Sequence, residues 1–201
     1  MQNPLTFSHV KARLRSKKIL ERLQQKPQQK KAKDLKICQK LSRSSAFQAA
    51  KTVLFYLPIH GEVDLELLFS KFSKKKLFAL PRVQKSSLTL HYISSLQHTA
   101  PGKFKIREPH NHLKKAKPGD IDLILVPGVA FSKNGHRIGY GKGFYDRLLK
   151  KTKALKIGIA YDFQIVNNIP GETHDVPMDI IITEKQTLKV KAQNWILHFG
   201  F

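Results

Sequence analysis

The residues best suited to chemistry lie in the stretch RIGYGKGFYDR, which spans residues 137–147. Its three glycines fall on alternate positions: Gly139, Gly141 and Gly143. Glycine lets backbone turn tightly or approach a ligand closely, but ordering it costs conformational entropy. A bound phosphate would offset that cost, because backbone N–H groups can converge on it while Lys142 and Arg137 supply positive charge.

The spacing of these glycines excludes one phosphate-binding motif and disfavours another. A Walker A loop has four residues between its first glycine and Gly-Lys, and then Ser or Thr, whereas Lys142 is followed by Gly143. A dinucleotide-binding fold is closer, because Asp162 ends a predicted strand about 20 residues further on. However, that fold has a tight turn, and here about twelve residues separate the preceding strand from Gly139. The pattern therefore favours a long anion-binding loop.

Asp146 places a carboxylate beside these cations. A carboxylate repels phosphate, so its position is understandable if a magnesium ion bridges it to the phosphate oxygens. The alternative that stays open is a glycine-rich surface turn with Asp146 and Arg147 as a neighbouring pair of opposite charge.

The surrounding sequence predicts an α/β fold with a mostly parallel sheet, helices on both faces and a Rossmann-like three-layer arrangement. Helices are predicted over 7–25, 28–50, 65–72 (with Asp64 as N-cap) and 143–152, and strands over 52–58, 76–81, 87–93, 121–127, 155–161 and 178–183. Near-continuous apolar strands separated by helices are typical of such sheets. We expect one domain over 1–201, with a basic helical part (1–50), a sheet part (51–201), a polar loop over 97–118 and a ligand loop over 127–146. Ligands of open sheets bind beyond the carboxyl ends of the strands, where this ligand loop begins.

The charge of the chain predicts anionic partners. Its 201 residues hold 37 Lys and Arg against 14 Asp and Glu, which gives a formal net charge of +23. Such a surplus attracts nucleic acid, acidic lipids or phosphorylated small molecules without choosing among them. A nucleic-acid-binding protein is thus the alternative from a different class, although Phe7 and Phe47 are the only aromatic residues in the basic first 50.

The cysteine content and hydropathy indicate a cytoplasmic protein with no membrane partner. Cys38 is the only cysteine, so no intrachain disulfide can form and a reducing compartment is expected. Its spacing from Leu35 and Leu41 predicts a small buried side chain. The opening lacks the order of a signal peptide, and no apolar run approaches the roughly 20 residues that span a bilayer.

The stretch VPGVAFSKNGHRIGYGKGFYDRLL closely resembles the central motif of the 5-formyltetrahydrofolate cyclo-ligase family. The likeness extends over nearly the whole chain through KARLR, FYLPIHGEVDLELL, LPRV, REP and THDVPMDIIIT, in the family's order. The resemblance implies an enzyme that uses MgATP to phosphorylate the formyl oxygen of 5-formyltetrahydrofolate, whose N10 then closes the ring. The products are 5,10-methenyltetrahydrofolate, ADP and phosphate. Another ATP-dependent or phosphosugar enzyme on the same kind of sheet is the remaining alternative.

The resemblance also implies roles for particular residues. The residues implied to bind ATP are Lys11, Arg15, Arg137, Ile138, Gly139, Tyr140, Gly141, Lys142, Gly143, Phe144 and Tyr145. Those implied to bind the folate are Leu57, Glu62, Tyr140, Gly141, Lys142, Gly143 and Phe144. Catalytic roles fall on Lys142, Arg137 and Tyr145, and the implied Mg²⁺ ligands are Asp146 and Asp175. We expect a monomer that takes ATP and a folate, which can carry a polyglutamate tail, and no specific nucleic acid.

Two further features bear on the site. Lys11, Arg15, Lys18 and Arg22 are spaced to share one face of a helix, and for Lys18 and Arg22 a solvated basic face is the competing interpretation. Ser132 stands where many family members carry an acid, so a polar or metal-water contact there is expected to be lost or rerouted.

Overall fold

Five α-helices and thirteen strands form the part of the chain that the structure describes. This computed structural model describes residues 7–102, 106–173 and 175–190. The helices are α1 (Phe7–Leu23), α2 (Pro27–Arg43), α3 (Ser45–Ala49), α4 (Glu66–Phe72) and α5 (Phe144–Leu149). The strands are β1 (Thr52–Leu54), β2 (Leu77–Gln84), β3 (Ser87–Ile93), β4 (Thr99–Pro101), β5 (Arg107–Pro109), β6 (Lys115–Ala116), β7 (Leu123–Pro127), β8 (Ala130–Ser132), β9 (Arg137–Ile138), β10 (Leu155–Ile159), β11 (Ile165–Val166), β12 (Ile180–Ile182) and β13 (Thr187–Lys189).

An eight-stranded sheet is the centre of the fold. Its strand order is β13-β12-β10-β7-β1-β2-β3-β6. The five strands from β12 to β2 pair in parallel, while β13 at one edge and β3 and β6 at the other pair antiparallel. The predicted mostly parallel sheet is therefore confirmed. The carboxyl ends of β1, β2 and β7 lie side by side, which gathers the loops that follow them.

Both faces of this sheet are covered. Successive residues of a strand point to opposite sides, so neighbouring residues of β1 show what packs on each face. Val53 of β1 lies in a buried cluster with Ile37 of α2, Phe47 of α3 and Leu68 of α4. Its neighbour Leu54 belongs to a second cluster on the other face, with Leu148 and Leu149 of α5. The prediction of helices on both faces is confirmed.

A small second sheet connects α1 to the glycine-rich segment. Strand β8 pairs in parallel with β11 and antiparallel with β9. Leu14 and Ile19 of α1 pack on the cluster of Val129, Ala130 and Ile138 in this sheet. The basic N-terminal helix is thereby held beside the glycines.

Two loop predictions are corrected by short strands. The polar segment 97–118 contains β4, β5 and β6, and β6 extends the main sheet. Part of the predicted ligand loop 127–146 is the hairpin of β8 and β9, so only residues 139–143 remain as a turn before α5. Buried backbone requires hydrogen-bond partners, and these pairings supply them.

The helix boundaries also differ from the prediction. The helix expected over 28–50 is interrupted at Ser44, whose extended backbone ends α2 and whose hydroxyl accepts a hydrogen bond from Phe47 at the start of α3. The N-cap of α4 is Leu65 rather than Asp64, although Asp64 accepts a hydrogen bond from the Glu66 amide at 2.8 Å. The expectation of one domain over 1–201 stays a prediction.

Candidate functional site

A cavity of about 560 Å³ lies beyond the carboxyl ends of the parallel strands. Its walls come from α1, the loops after β1 and β7, strands β2 and β3, and the glycine turn. All the sequence-predicted site residues line it: Lys11, Arg15, Leu57, Glu62, Arg137, Ile138, Gly139, Tyr140, Gly141, Lys142, Gly143, Phe144, Tyr145, Asp146 and Asp175. The structure brings them together, whereas their individual roles stay predictions.

Backbone conformation explains two of the three glycines. Gly141 has φ +90° and Gly143 has φ +62°, a left-handed region that strains other residues. Gly139 instead lies close to a side chain, because a Cβ there would come within 3.1 Å of Arg137 Nη1. The turn therefore needs glycine for its shape at two positions, and a side chain at the third would require the Arg137 guanidinium to shift slightly.

Arg137 and Asp146 form a close ion pair at the edge of this turn. Arg137 Nη2 donates to Asp146 Oδ1 at 2.6 Å, and the Arg137 side chain is only 5% exposed. The guanidinium also lies over the Tyr145 ring, 5.7 Å from its centroid. Nε of Arg137 is buried without a hydrogen-bond partner among the described residues, so the pair leaves one donor available for a ligand.

Helix α1 contributes two cations to the opposite wall. Lys11 Nζ lies 3.2 Å from Asp175 and 3.3 Å from Glu172. Arg15 donates from Nε to the Gly139 carbonyl at 2.8 Å, which ties the helix to the glycine turn. The helical spacing of Lys11 and Arg15 thus places both at the cavity.

The carboxylates predicted to bind magnesium each lie against a cation, Asp146 against Arg137 and Asp175 against Lys11. Within the described ranges, no group of three or more His, Cys, Asp or Glu side chains is arranged to hold a metal. Mg²⁺ commonly uses one or two carboxylates and takes its other ligands from water and phosphates. The oxygen donors of Asp146 and Asp175 fit that mode of binding.

Glu62 is a buried carboxylate in the cavity wall, 4% exposed. Two left-handed residues before it, His60 and Gly61, make the turn that points it inward. Its Oε2 accepts a hydrogen bond from the Ile59 amide at 3.2 Å, whereas Oε1 has no hydrogen-bond partner among the described residues. Burial raises the pKa of Glu62 to about 7, against the opposing effects of the Arg22 charge and of hydrogen bonds from the Ile59 amide and the Tyr140 hydroxyl. One acceptor atom is therefore ready for a ligand.

Sequence reasoning missed two residues at this site. Arg22, for which a solvated face was one interpretation, is 1% exposed and lies against Glu62, so that interpretation is wrong. Lys18 is not simply solvated either, since it pairs with Glu21 at 2.8 Å and donates to the Phe163 carbonyl at 2.6 Å. Tyr56 lines the cavity with a buried hydroxyl that has no partner in the described part of the chain. The helical spacing of Arg22 from Lys11 was a signal for the first residue, and a tyrosine near the carboxyl end of the apolar run 52–58 was a signal for the second.

Ser132 does not line the cavity. Its side chain is buried in the turn between β8 and β9, where its hydroxyl donates to Asn134 Oδ1. Cys38 is also buried, as predicted, and burial raises the pKa of its thiol to about 12. Neither residue forms part of the candidate site.

None of the helices in the described residues has the length and hydropathy needed to cross a membrane.

A mostly parallel sheet with a cavity at the carboxyl ends of its strands, lined by a glycine turn and paired charges, is the architecture of α/β enzymes that bind small ligands. The sequence model of the 5-formyltetrahydrofolate cyclo-ligase family matches residues 7–184. The chain belongs to this family, as the resemblance indicated.

Relatives of known name agree with this assignment. The 5-formyltetrahydrofolate cyclo-ligase of Mycoplasma genitalium is 34% identical over 84% of this chain and 94% of its own length. That of Mus musculus is 29% identical over 88% and 91%, respectively. The solved structure of the 5,10-methenyltetrahydrofolate synthetase from Aquifex aeolicus superposes with a TM-score of 0.83, is 36% identical, and covers 94% of this chain and 100% of that one. The protein is thus an enzyme, a ligase of folate one-carbon metabolism.

Proposed function

We propose that the enzyme converts 5-formyltetrahydrofolate to 5,10-methenyltetrahydrofolate with ATP and magnesium, releasing ADP and phosphate. The observation that carries the proposal is the meeting of two kinds of recognition in one cavity. A buried carboxylate with an unpartnered oxygen, Glu62, forms part of one wall, and the cationic glycine turn forms another. The first suits the N–H groups of a pterin, and the second suits a phosphate.

On the folate side, Glu62 would accept hydrogen bonds from the amino group and ring N–H of the pterin. Charge-assisted hydrogen bonds of this kind are stronger than neutral ones. Leu57 is 7% exposed at the same wall and offers an aliphatic surface for the flat ring. The folate would therefore be held with its formyl group towards the glycine turn.

The lining of the whole cavity, with its folate side included, holds equal numbers of cationic and acidic side chains despite the basic chain. Its cations are Lys11, Arg15, Arg107, Arg137 and Lys142, and its acids are Glu62, Glu108, Asp146, Glu172 and Asp175. A triphosphate therefore needs more positive charge than the free cavity presents. Mg²⁺ held by Asp146 and Asp175 would supply that charge and neutralise the phosphate oxygens.

The reaction follows from this placement. A formyl oxygen is a poor leaving group until it carries phosphate, so the oxygen first attacks the terminal phosphorus of ATP and ADP departs. Arg137 and Lys142 stabilise the charge on the transferring group, which is the main task of a protein in such transfers. N10 of the same folate then bonds to the activated carbon and loses its proton, and phosphate leaves with the former formyl oxygen.

The direct test mixes the purified protein with 5-formyltetrahydrofolate, ATP and Mg²⁺ and follows the absorbance of the methenyl product. Reactions that lack ATP or Mg²⁺ are the controls. We expect product only in the complete mixture, and no product from a folded protein would overturn the proposal.

The variant E62Q should raise the KM for the folate by about tenfold or more with a smaller effect on the KM for ATP, because a charged acceptor becomes neutral.

The cytoplasmic location and the monomeric state stay predictions. The first is supported by the presence of one cysteine, Cys38, which can form no intrachain disulfide.

A further inference from the structure

Arg22, near the end of α1, lies buried behind the cavity rather than in its lining. We infer that Arg22 is a positioning residue of the folate site, one that holds Glu62 in orientation and favours its ionised form while leaving the acceptor oxygen of Glu62 to the substrate. The nature of that substrate rests on the proposed function above. The inference itself comes from the contacts of the guanidinium.

The burial of Arg22 is complete enough to require an explanation. It is 1% exposed and is the largest side chain in the fully buried core. Removing a guanidinium from water is costly unless its donors are satisfied and its charge is compensated. Among the described residues, both conditions are met by groups that line the cavity.

The hydrogen bonds of Arg22 reach three separate segments around the cavity. Nε donates to the His60 carbonyl at 2.7 Å, in the turn that follows β1. Nη1 donates to the Gly128 carbonyl at 3.2 Å, just after β7, and Nη2 donates to the Tyr140 hydroxyl in the glycine turn. One side chain thus fixes the pterin-side turn against the phosphate-side turn.

The backbone of Arg22 makes a further close contact with the turn that carries Glu62. A Cβ on Gly61 would lie 3.1 Å from the Arg22 carbonyl oxygen, and Gly61 has φ +73°. This position therefore accepts glycine alone without strain or a shift of the helix. The turn before Glu62 is fitted directly onto α1.

The distance between Arg22 and Glu62 explains how the arrangement serves a ligand. Arg22 Nη1 lies 3.8 Å from Glu62 Oε1, which is an ion pair but too long for a hydrogen bond. Oε1 is consequently charge-compensated and still has no hydrogen-bond partner in the described residues. A direct bidentate pair would have consumed the oxygen that the pterin needs.

Several other groups face Glu62, and they do not replace Arg22. Tyr56, Tyr140 and Tyr145 all lie close enough for the Glu62 charge to raise their pKa values, in addition to burial, which is the larger cause. All three are neutral phenols near pH 7. His60 directs its ring to Tyr140, 5.8 Å away. Among these groups Arg22 supplies the fixed positive charge.

The test compares R22K and R22M with the exposed control R13M, which lies on the same helix outside the cavity lining. For each protein, a thermal melt establishes folding, and the KM values for 5-formyltetrahydrofolate and for ATP are measured between pH 5.5 and 9. We expect R22M to raise the folate KM by about tenfold or more and the ATP KM by less than about threefold, because a buried carboxylate loses its compensating charge. R22K keeps the charge but loses the forked donors, so it should fall between R22M and the parent, while R13M matches the parent.

The pH profile separates positioning from a general structural role. In the parent, folate affinity should fall as pH drops below about 7, since the pterin donors need an ionised Glu62. Loss of the Arg22 charge raises the pKa of Glu62 further, so the fall should begin at higher pH in R22M. If R22M does not fold, the test relies on R22K, for which we expect an intermediate folate KM and an intermediate shift of the pH profile of folate affinity.

Equal increases in both KM values, or an unmoved pH profile in a folded Arg22 variant, would overturn the inference. These outcomes are distinct from failure of the proposed function, which would appear as an inactive parent enzyme.

Discussion

At the scale of single residues, the site depends on charged groups that are held by one another before any ligand arrives. The Arg137–Asp146 pair at 2.6 Å and the Lys11–Asp175 pair at 3.2 Å each join a predicted phosphate ligand to a predicted magnesium ligand. If both ligands bind, each cation and each carboxylate acquires a new partner. In the free protein these charged groups are therefore already compensated by one another, with Lys11 between Asp175 and Glu172.

This arrangement gives a prediction for Asp146. We expect D146N to raise the Mg²⁺ concentration for half-maximal rate by about tenfold or more, a common consequence of weakening a metal site. The folate KM should change little, because Asp146 is predicted to act on the nucleotide side. The measurement is initial rate against Mg²⁺ at saturating ATP and folate.

The matched control is D120N, since Asp120 is a carboxylate in the turn Pro118–Asp120, outside the cavity lining. An unchanged Mg²⁺ dependence in D146N would remove Asp146 from the metal site.

At the scale of elements, the glycine turn between β9 and α5 decides whether backbone can reach a phosphate. The turn is held from both sides, because β9 pairs with β8 and the Gly139 carbonyl accepts a hydrogen bond from Arg15 of α1. Its shape requires the left-handed residues Gly141 and Gly143. A side chain at either position would therefore alter the element rather than a single contact.

The variant G141A tests this element. Space is sufficient, since the nearest atom to an added Cβ is Arg15 Nη2 at 3.8 Å, but φ +90° is strained for alanine. We expect the free energy of unfolding to fall by about 1–2 kcal/mol if the turn keeps its shape, and by less if the turn shifts to relieve the strain. A shifted turn would raise the KM values for both ATP and the folate, because Gly141 is predicted to contact both ligands.

Gly119 provides the control for that experiment. It lies in open space without a left-handed φ, so G119A should stay within about 0.5 kcal/mol of the parent in a denaturant titration. Equal effects of G119A and G141A on stability and ATP KM would show that the shape of the turn is unimportant.

At the scale of the whole molecule, the positive charge lies mainly outside the cavity. The chain carries +23, whereas the five cations and five acids of the cavity lining cancel. The surplus therefore lies where it would act on an anion over a distance rather than through contacts in the cavity. Such long-range attraction accelerates encounter and is weakened by salt, with a Debye length of about 10 Å at 0.1 M.

We therefore expect kcat/KM for ATP to fall as NaCl rises from about 20 to 200 mM, with kcat nearly constant, because screening reduces encounter but not the paired interactions in the cavity. The binding of AMP, measured by calorimetry over the same range, is the comparison. Its smaller charge should give a shallower salt dependence. Equal slopes for ATP and AMP would contradict steering by the surface charge.

The sequence alone predicts the mostly parallel sheet and the glycine turn, but not the β8–β9 hairpin that precedes the turn. Runs such as 121–127 and 155–161 are apolar on both faces, and a strand of that kind is stable only inside a covered, mostly parallel sheet. The alternating glycines around Lys142 are likewise a local pattern, since left-handed backbone and close approach are properties of the residue itself. The family motif in the same segment identified the enzyme class, which the family match confirms.

Which charges are paired and which are buried depends on contacts between distant parts of the chain. Lys11 and Asp175 are 164 positions apart and Arg22 and Tyr140 are 118 apart, so no local spacing relates them. Helical periodicity showed that Lys11, Arg15 and Arg22 share a face, but whether that face meets water or protein depends on the segments packed against it. The same reason applies to Glu62, because the unpartnered oxygen and the raised pKa arise from burial, which the chain acquires only when its distant parts come together.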